Sequence, residues 1–233
     1  MPNRRPIKNK MSSIEDRLSR LRQEIPAGIE LVAVSKFHPV SQIREAYEAG
    51  QRRFGESRVQ ELVEKIPQLP DDIKWHFIGH LQTNKVRALM GKTELIESVD
   101  SEKLLGVIDA ESRKAGVVTS VLLQVHVAAE ETKFGFLPPE MLSYFKEGRF
   151  HSLTNTHICG IMGMATNTDE MKRVRQDFQK IADLYREIKA SVPTELRGFD
   201  QISMGMSGDW PLAVEEGATI IRIGTAIFGE RNY

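Results

Sequence analysis

The chain has one cysteine, Cys159, in 233 residues. A single thiol excludes an internal disulfide framework and any multi-cysteine metal site, and it fits a reducing cytoplasm. No apolar run reaches the roughly 18 residues that a membrane-spanning helix needs. Neither sign of charge is in excess: 32 Lys and Arg stand against 32 Asp and Glu, a formal net charge of zero. No overall basic field therefore points to nucleic acid or to an anionic membrane. The dinucleotide fingerprint G-x-G-x-x-G is missing after the first strand-like run, which argues against a doubly wound open sheet. His76 and His80 are four apart in HFIGH, but this is not H-E-x-x-H, and no metal site is expected. No linker rich in Pro, Gly or Ser divides the chain, so one domain is expected. The first ten residues, MPNRRPIKNK, carry four basic residues, no acid and no signal-peptide core. Residues 1–11 read as a disordered basic lead-in.

What is present is an alternation of two periods. Strand-like apolar runs cover 29–36, 52–57, 74–80, 93–100, 119–127, 157–165, 199–207 and 219–229. Several are nearly continuous in Val, Ile and Leu, as parallel strands covered on both faces are. Helical segments fill the gaps. In 168–192 a stripe of Met171, Val174, Phe178, Ile181, Tyr185 and Ile188 steps by three and four, with Thr168 as the expected N-cap and Pro193 as the stop. Ser101 can cap 102–115 and Gly116 end it; Pro39 can open 40–49 and Gly50 close it. A further helix near 12–24 precedes the first strand. Eight such units predict a single-domain (β/α)₈ TIM barrel with an extra N-terminal helix.

Barrel chemistry collects at the C-terminal ends of the strands. Lys36 follows the apolar run Leu31–Val34. Partial desolvation there would favour a neutral amine able to form a Schiff base; a lysine snorkelling to water is the plainer reading. The last two strand ends read Ser-Met-Gly-Met-Ser-Gly (203–208) and Arg-Ile-Gly-Thr (222–225). Loops after strands seven and eight often bind phosphate, and glycines let backbone N–H groups approach an anion, although they also merely permit tight turns. A helix is expected to start near Asp209 or Trp210. An amine and a phosphate cup on one mouth fit pyridoxal phosphate, or a sugar phosphate in a Schiff-base aldolase. Arg222 can face a pyridine nitrogen or form a structural salt bridge.

The segments AVSKFHP (33–39), RRFGESRVQE (52–61), WHFIGHLQTNK (75–85), IMGMA (161–165), ISMGMSGDW (202–210) and RIGTAIFGER (222–231) resemble the pyridoxal phosphate homeostasis proteins. These are single-barrel relatives of the alanine racemase N-terminal domain, and the similarity runs from about Ser12 to Arg231. The resemblance implies that Lys36 carries pyridoxal 5'-phosphate as a covalent aldimine and that Arg222 faces the ring nitrogen. It implies that Ser207, Gly224 and Thr225 hold the phosphate, with Ser203 and Gly208 lining that cup. Ser57 stands where the family usually has Asn, a shorter polar contact beside the ring; His126 also replaces an Asn. Met162 is placed against the ring, and His80 supports the mouth. Cys159 reads as a small core residue, and Lys85, Arg87 and Lys133 as solvated charges.

The expected function is cofactor binding in the homeostasis of intracellular pyridoxal phosphate, without turnover. The alternative is a racemase-like enzyme acting on amino acids. Racemisation needs acid/base groups on both faces of the substrate carbon. The chain has only Tyr47, Tyr144, Tyr185 and Tyr233, and it ends just after the eighth strand with no second domain. A cytoplasmic monomer is expected, with apo-enzymes as recipients of the cofactor and with neither nucleic acid nor membrane as a partner.

Overall fold

In the computed structural model, which describes residues 13–130, 134–192 and 196–230, eight parallel strands close into a barrel in chain order. They are β1 (Glu30–Val34), β2 (Arg53–Glu56), β3 (Lys74–Phe77), β4 (Leu95–Val99), β5 (Thr119–Val125), β6 (Thr156–Gly163), β7 (Gln201–Ser203) and β8 (Ile220–Ile223). The crossovers carry α2 (Val40–Glu48), α3 (Val59–Lys65), α4 (Glu102–Ala115), α5 (Pro138–Lys146), α6 (Met171–Ser191) and α7 (Trp210–Glu215). A short α8 (Thr225–Phe228) follows β8, and α1 (Ile14–Glu24) precedes β1. This is the (β/α)₈ barrel with an extra N-terminal helix that the alternation predicts. α1 opens on a capping box between Ser13 and Asp16 and buries Ile14, Leu18 and Leu21. It packs on α2 and α8, and Arg17 donates to the Ile227 carbonyl at 2.6 Å, which braces the end of the barrel.

Alternate residues of β1, β4, β5, β6 and β8 serve two cores. Ala33, Ile96, Leu123, Ile161 and Ile221 join the large cluster beneath the helices. Their neighbours Val32, Leu95, Leu122, Met162 and Ile220 form a smaller cluster with Cys159 in the lumen. Gly55 keeps the space there open: a Cβ would stand 3.0 Å from Val32 Cγ1 and 3.1 Å from Ile78 Cδ1, and those side chains would have to give. Cys159 is buried, as its place in an apolar run implies, and burial pushes its thiol up.

Four local features differ from expectation. All eight strand-like runs extend past the C-terminal end of the strand they contain. In the last, the backbone leaves the sheet at Gly224 and the tail of the run becomes α8. The β3–β4 crossover, read as helical around Lys85 and Arg87, is a 3₁₀ segment, Thr83–Leu89; its buried Val86 and Leu89 match a repeat of three. Thr168 does not cap α6. Glu170 holds the N-cap position, and Thr168 Oγ1 accepts from the Glu170 N–H at 3.2 Å, a turn of its own. Met171, 45% exposed, leaves the buried stripe. Pro193, Lys133, Tyr233 and the segment 1–11 lie outside the described residues. No described helix is long and apolar enough to cross a membrane.

Candidate binding site at the barrel mouth

A cavity of about 270 Å³ opens at the C-terminal ends of the strands. Val34 and Lys36 reach it from β1, Ile78 from the end of β3 and Met164 from the end of β6. Met206, Ser207 and Gly208 line it from the loop after β7, and Arg222, Gly224 and Thr225 from β8 and the turn beyond. The wall thus holds an amine, a guanidinium and two hydroxyls and, among the described residues, no carboxylate. A larger hollow of about 580 Å³ lies on the outer wall between Asn84 and Lys114, away from the strand ends. The strand ends decide between the two, because they are where the fold gathers polar groups from several strands.

Local backbone rules build the cup. Gly205 has φ +94, and a Cβ there would stand 2.6 Å from Ala213 Cβ, so only glycine lets the loop fold onto α7. Asp209 Oδ1 then accepts the Met206 N–H at 2.5 Å, closing the loop that presents Ser207 and Gly208. At Gly224 a Cβ would come within 3.2 Å of the Val34 carbonyl, so glycine allows β8 to end hard against β1. Thr225, the first residue of α8, is thereby brought to the rim beside the half-buried Lys36.

Beneath the cavity runs a file of buried charge. The Arg222 guanidinium donates to Ser203 Oγ, to the Gly163 carbonyl at 3.1 Å and to Glu97 Oε2 at 3.5 Å. Ser203 Oγ donates to the same Glu97 oxygen at 2.5 Å. Glu97 Oε1 meets His76 Nδ1 at 2.6 Å, and His76 Nε2 lies 3.5 Å from Glu94 Oε2. Lys74 and Arg53 flank Glu94 at the opposite end of the barrel. Burial works to lower His76, but the carboxylates of Glu94 and Glu97 outweigh it and push it up to about 9. Burial likewise works against Glu97, yet His76, Arg222 and Ser203 hold its carboxyl below the usual range. Burial pulls Arg222 below the usual guanidinium range against the attraction of Glu97. Arg222 thus lines the cavity and forms the buried salt bridge that was the second of its two sequence readings.

Six of the ten residues singled out from sequence meet at this cavity: Lys36, Ser207, Gly208, Arg222, Gly224 and Thr225. Four do not line it. Ser203 is fully buried below and acts on Arg222. Met162 belongs to the lumen cluster, and its neighbour Met164 reaches the cavity instead. Ser57 is half-buried, its carbonyl against Gly79, where a Cβ would come within 2.1 Å. His80 is exposed on the rim, with Nδ1 at 2.9 Å from Asp100 and its ring stacked on Phe134 at 3.8 Å. His126 is half-buried and approaches the Ala128 carbonyl at 3.1 Å. Sequence reasoning missed Glu97 and the role of His76. The signal was present: a carboxylate inside the apolar run TELIESVD must be paired once buried. Among the described residues no group of three metal-ligating side chains occurs.

The chain matches the family described as alanine racemase, N-terminal domain, over residues 10–232. It is 40% identical over 229 residues to the pyridoxal phosphate homeostasis protein of Aquifex aeolicus, covering 94% of this chain and 98% of that protein. With the pyridoxal phosphate homeostasis protein of Mus musculus it shares 37% identity over 233 residues, covering 94% and 84%. The structure of PipY from Synechococcus elongatus with PLP bound has a TM-score of 0.84 at 37% identity, covering 93% of this chain and all of that one. An alanine racemase of Clostridium difficile, 14% identical with a TM-score of 0.73, shares the fold alone, over 95% of this chain and 56% of that one.

Proposed function

The chain belongs to the pyridoxal phosphate homeostasis proteins, and from that premise we propose that it binds pyridoxal 5'-phosphate at the barrel mouth and serves in the homeostasis of that cofactor. The observation that carries the reading is the cavity wall, with two cations, two hydroxyls, two glycines and, among the described residues, no carboxylate. When bound, pyridoxal phosphate supplies an aldehyde for an amine, an electron-withdrawing ring and a phosphate dianion. Each part has a counterpart in the wall. Lys36 provides the amine. The Ser207 and Thr225 hydroxyls suit the phosphate, with backbone N–H groups at the glycines beside them. A Cβ at Gly208 would meet no atom within 4 Å, so packing does not demand the glycine and its bareness leaves room for an anion. Met164 and Met206 add adaptable apolar contact.

The arrangement suits holding the cofactor better than turning over a substrate. Arg222 has donors only, so a pyridine nitrogen held beside it would stay unprotonated, and the ring would be a weaker electron sink. Racemisation also needs a second acid/base group. Of the described tyrosines, Tyr47 is engaged with Asp72, Tyr144 lies against Phe136 and Phe145, and Tyr185 stacks on Phe199, all away from the cavity. The same reading makes the protein a cytoplasmic monomer that delivers the cofactor to apo-enzymes.

Protein incubated with pyridoxal phosphate is expected to gain a visible chromophore that borohydride fixes on Lys36, located by peptide mapping. The same absorbance in Lys36→Ala overturns the site. Repeated racemisation or transamination of any tested amino acid at an enzymatic rate overturns the non-catalytic role.

A further inference from the structure

A second buried ion cluster sits behind Lys36, outside the cavity. Lys65, the last residue of α3, is 6% exposed. Its ammonium has three donors, and three acceptors meet it: Glu56 Oε1 at 2.7 Å, Glu61 Oε1 at 2.6 Å and the Ser35 carbonyl at 3.0 Å. Glu61 Oε1 also accepts the Phe37 N–H at 2.6 Å, and Ser35 Oγ donates to Glu56 Oε1 at 2.6 Å. The Ser35 carbonyl belongs to the peptide before Lys36, and the Phe37 N–H to the peptide after it. One cluster therefore grips both peptides of a single lysine. Phe37 has φ +66, the only positive φ outside glycine among the described residues. Such a conformation persists only where the surroundings over-determine it. A buried ion pair is weak evidence of stabilisation by itself, so this placement calls for another account.

We infer that Lys65 and Glu61 are positioning residues for Lys36, fixing the direction in which its side chain leaves the end of β1 and so how its amine meets an aldehyde in the mouth cavity. The inference rests on the reading of Lys36 as the attachment residue. Attachment joins the Lys36 nitrogen to the aldehyde carbon, and the aldehyde oxygen leaves as water with both hydrogens of the neutral amine. Misplacing a reacting group by about 1 Å costs on the order of 100-fold.

Glu61 is half-buried and belongs to neither apolar cluster, so Glu61→Ala removes no core side chain. In the full chain this variant is expected to lower borohydride-trapped label on Lys36 by on the order of 10–100-fold. Its affinity for pyridoxine 5'-phosphate, which carries the ring and phosphate but no aldehyde, is expected to stay within about twofold. Glu61→Gln keeps an acceptor for the Phe37 N–H and is expected to restore labelling. Lys65→Met releases the Ser35 carbonyl and lowers labelling further; if that variant unfolds, the Glu61 pair decides alone. Unchanged labelling in Glu61→Ala, or equal loss of both ligands, overturns the inference. Label persisting in a parallel Lys36→Ala sample overturns the attachment residue itself, and the inference with it.

Discussion

The two cations of the mouth cavity are held from different sides. Arg222 is gripped by its head: its guanidinium meets Ser203, Glu97 and the Gly163 carbonyl inside the lumen. Lys36 is gripped by its root: Lys65 and Glu61, on the outer side of the barrel, take the carbonyl before it and the N–H after it. The contrast follows from the work proposed for each. A fixed charge acts by keeping its place, and a guanidinium with several partners keeps it. A nucleophile must travel to form a bond, so what can be fixed in advance is the backbone that aims it.

The sharpest way to break the comparison is Arg222→Leu. It leaves Glu97 buried without its nearest cation on that side, and removing one partner of a buried ion pair costs about 3–5 kcal/mol. The urea midpoint of the apo protein should fall accordingly, and by more than in Lys36→Ala, because the Lys36 side chain is half-buried whereas Arg222 is enclosed. Similar losses in the two variants would mean that the two cations are not held differently. A smaller effect is expected at Thr225→Val. A hydrogen bond to a charged group contributes about 1.5–3 kcal/mol, or on the order of 10–100-fold in affinity. Calorimetry should show that loss for pyridoxal phosphate and pyridoxine 5'-phosphate alike, unlike the split expected of Glu61→Ala. Unaltered affinity would remove Thr225 from the phosphate cup.

The gentlest perturbation is pH. His76 rises from 6.5 to about 9 in the fold, so the fold favours its protonated form between Glu94 and Glu97. The resulting stabilisation is complete below pH 6.5 and is lost as pH climbs through about 9. Glu94 works in the other direction: held down to about 2 from 4.5, it contributes above pH 4.5 and loses that contribution as pH falls towards 2. Unfolding free energies of the apo protein should therefore decline between pH 6.5 and 9, and His76→Asn should flatten the decline. A wild-type profile already flat over that interval would detach His76 from the file of charge beneath Arg222.

Much of the architecture was legible because its causes are local. Ser101 caps α4 by accepting the Leu104 N–H, and Gly116 ends it at φ +68, as their residue types imply. The strand-like runs marked all eight strands but ran too far at their C-terminal ends. After β6, β7 and β8 the overshoot has a reason: Met164, Met206 and Gly224 line the mouth, so the chain stays apolar or bare after the ladder ends. Thr168 failed as a cap because its hydroxyl had a nearer N–H to satisfy. Ser57 and Met162 were expected beside the ring and His80 at the mouth, but a place near a strand end does not say which side chains reach one cavity.

By itself the sequence determined the order of strands and helices, the turn at Gly205 and the kinds of group at the barrel rim. Hydrophobic period, capping and glycine's backbone freedom all act within a few residues. Only the closed barrel decided which charges became partners. Arg222 meets Glu97 across 125 residues of chain, and Lys65 meets the Ser35 carbonyl across 30. Burial makes such pairing obligatory, yet which residues face one another follows from ring closure and crossover packing, which no local pattern in the chain records.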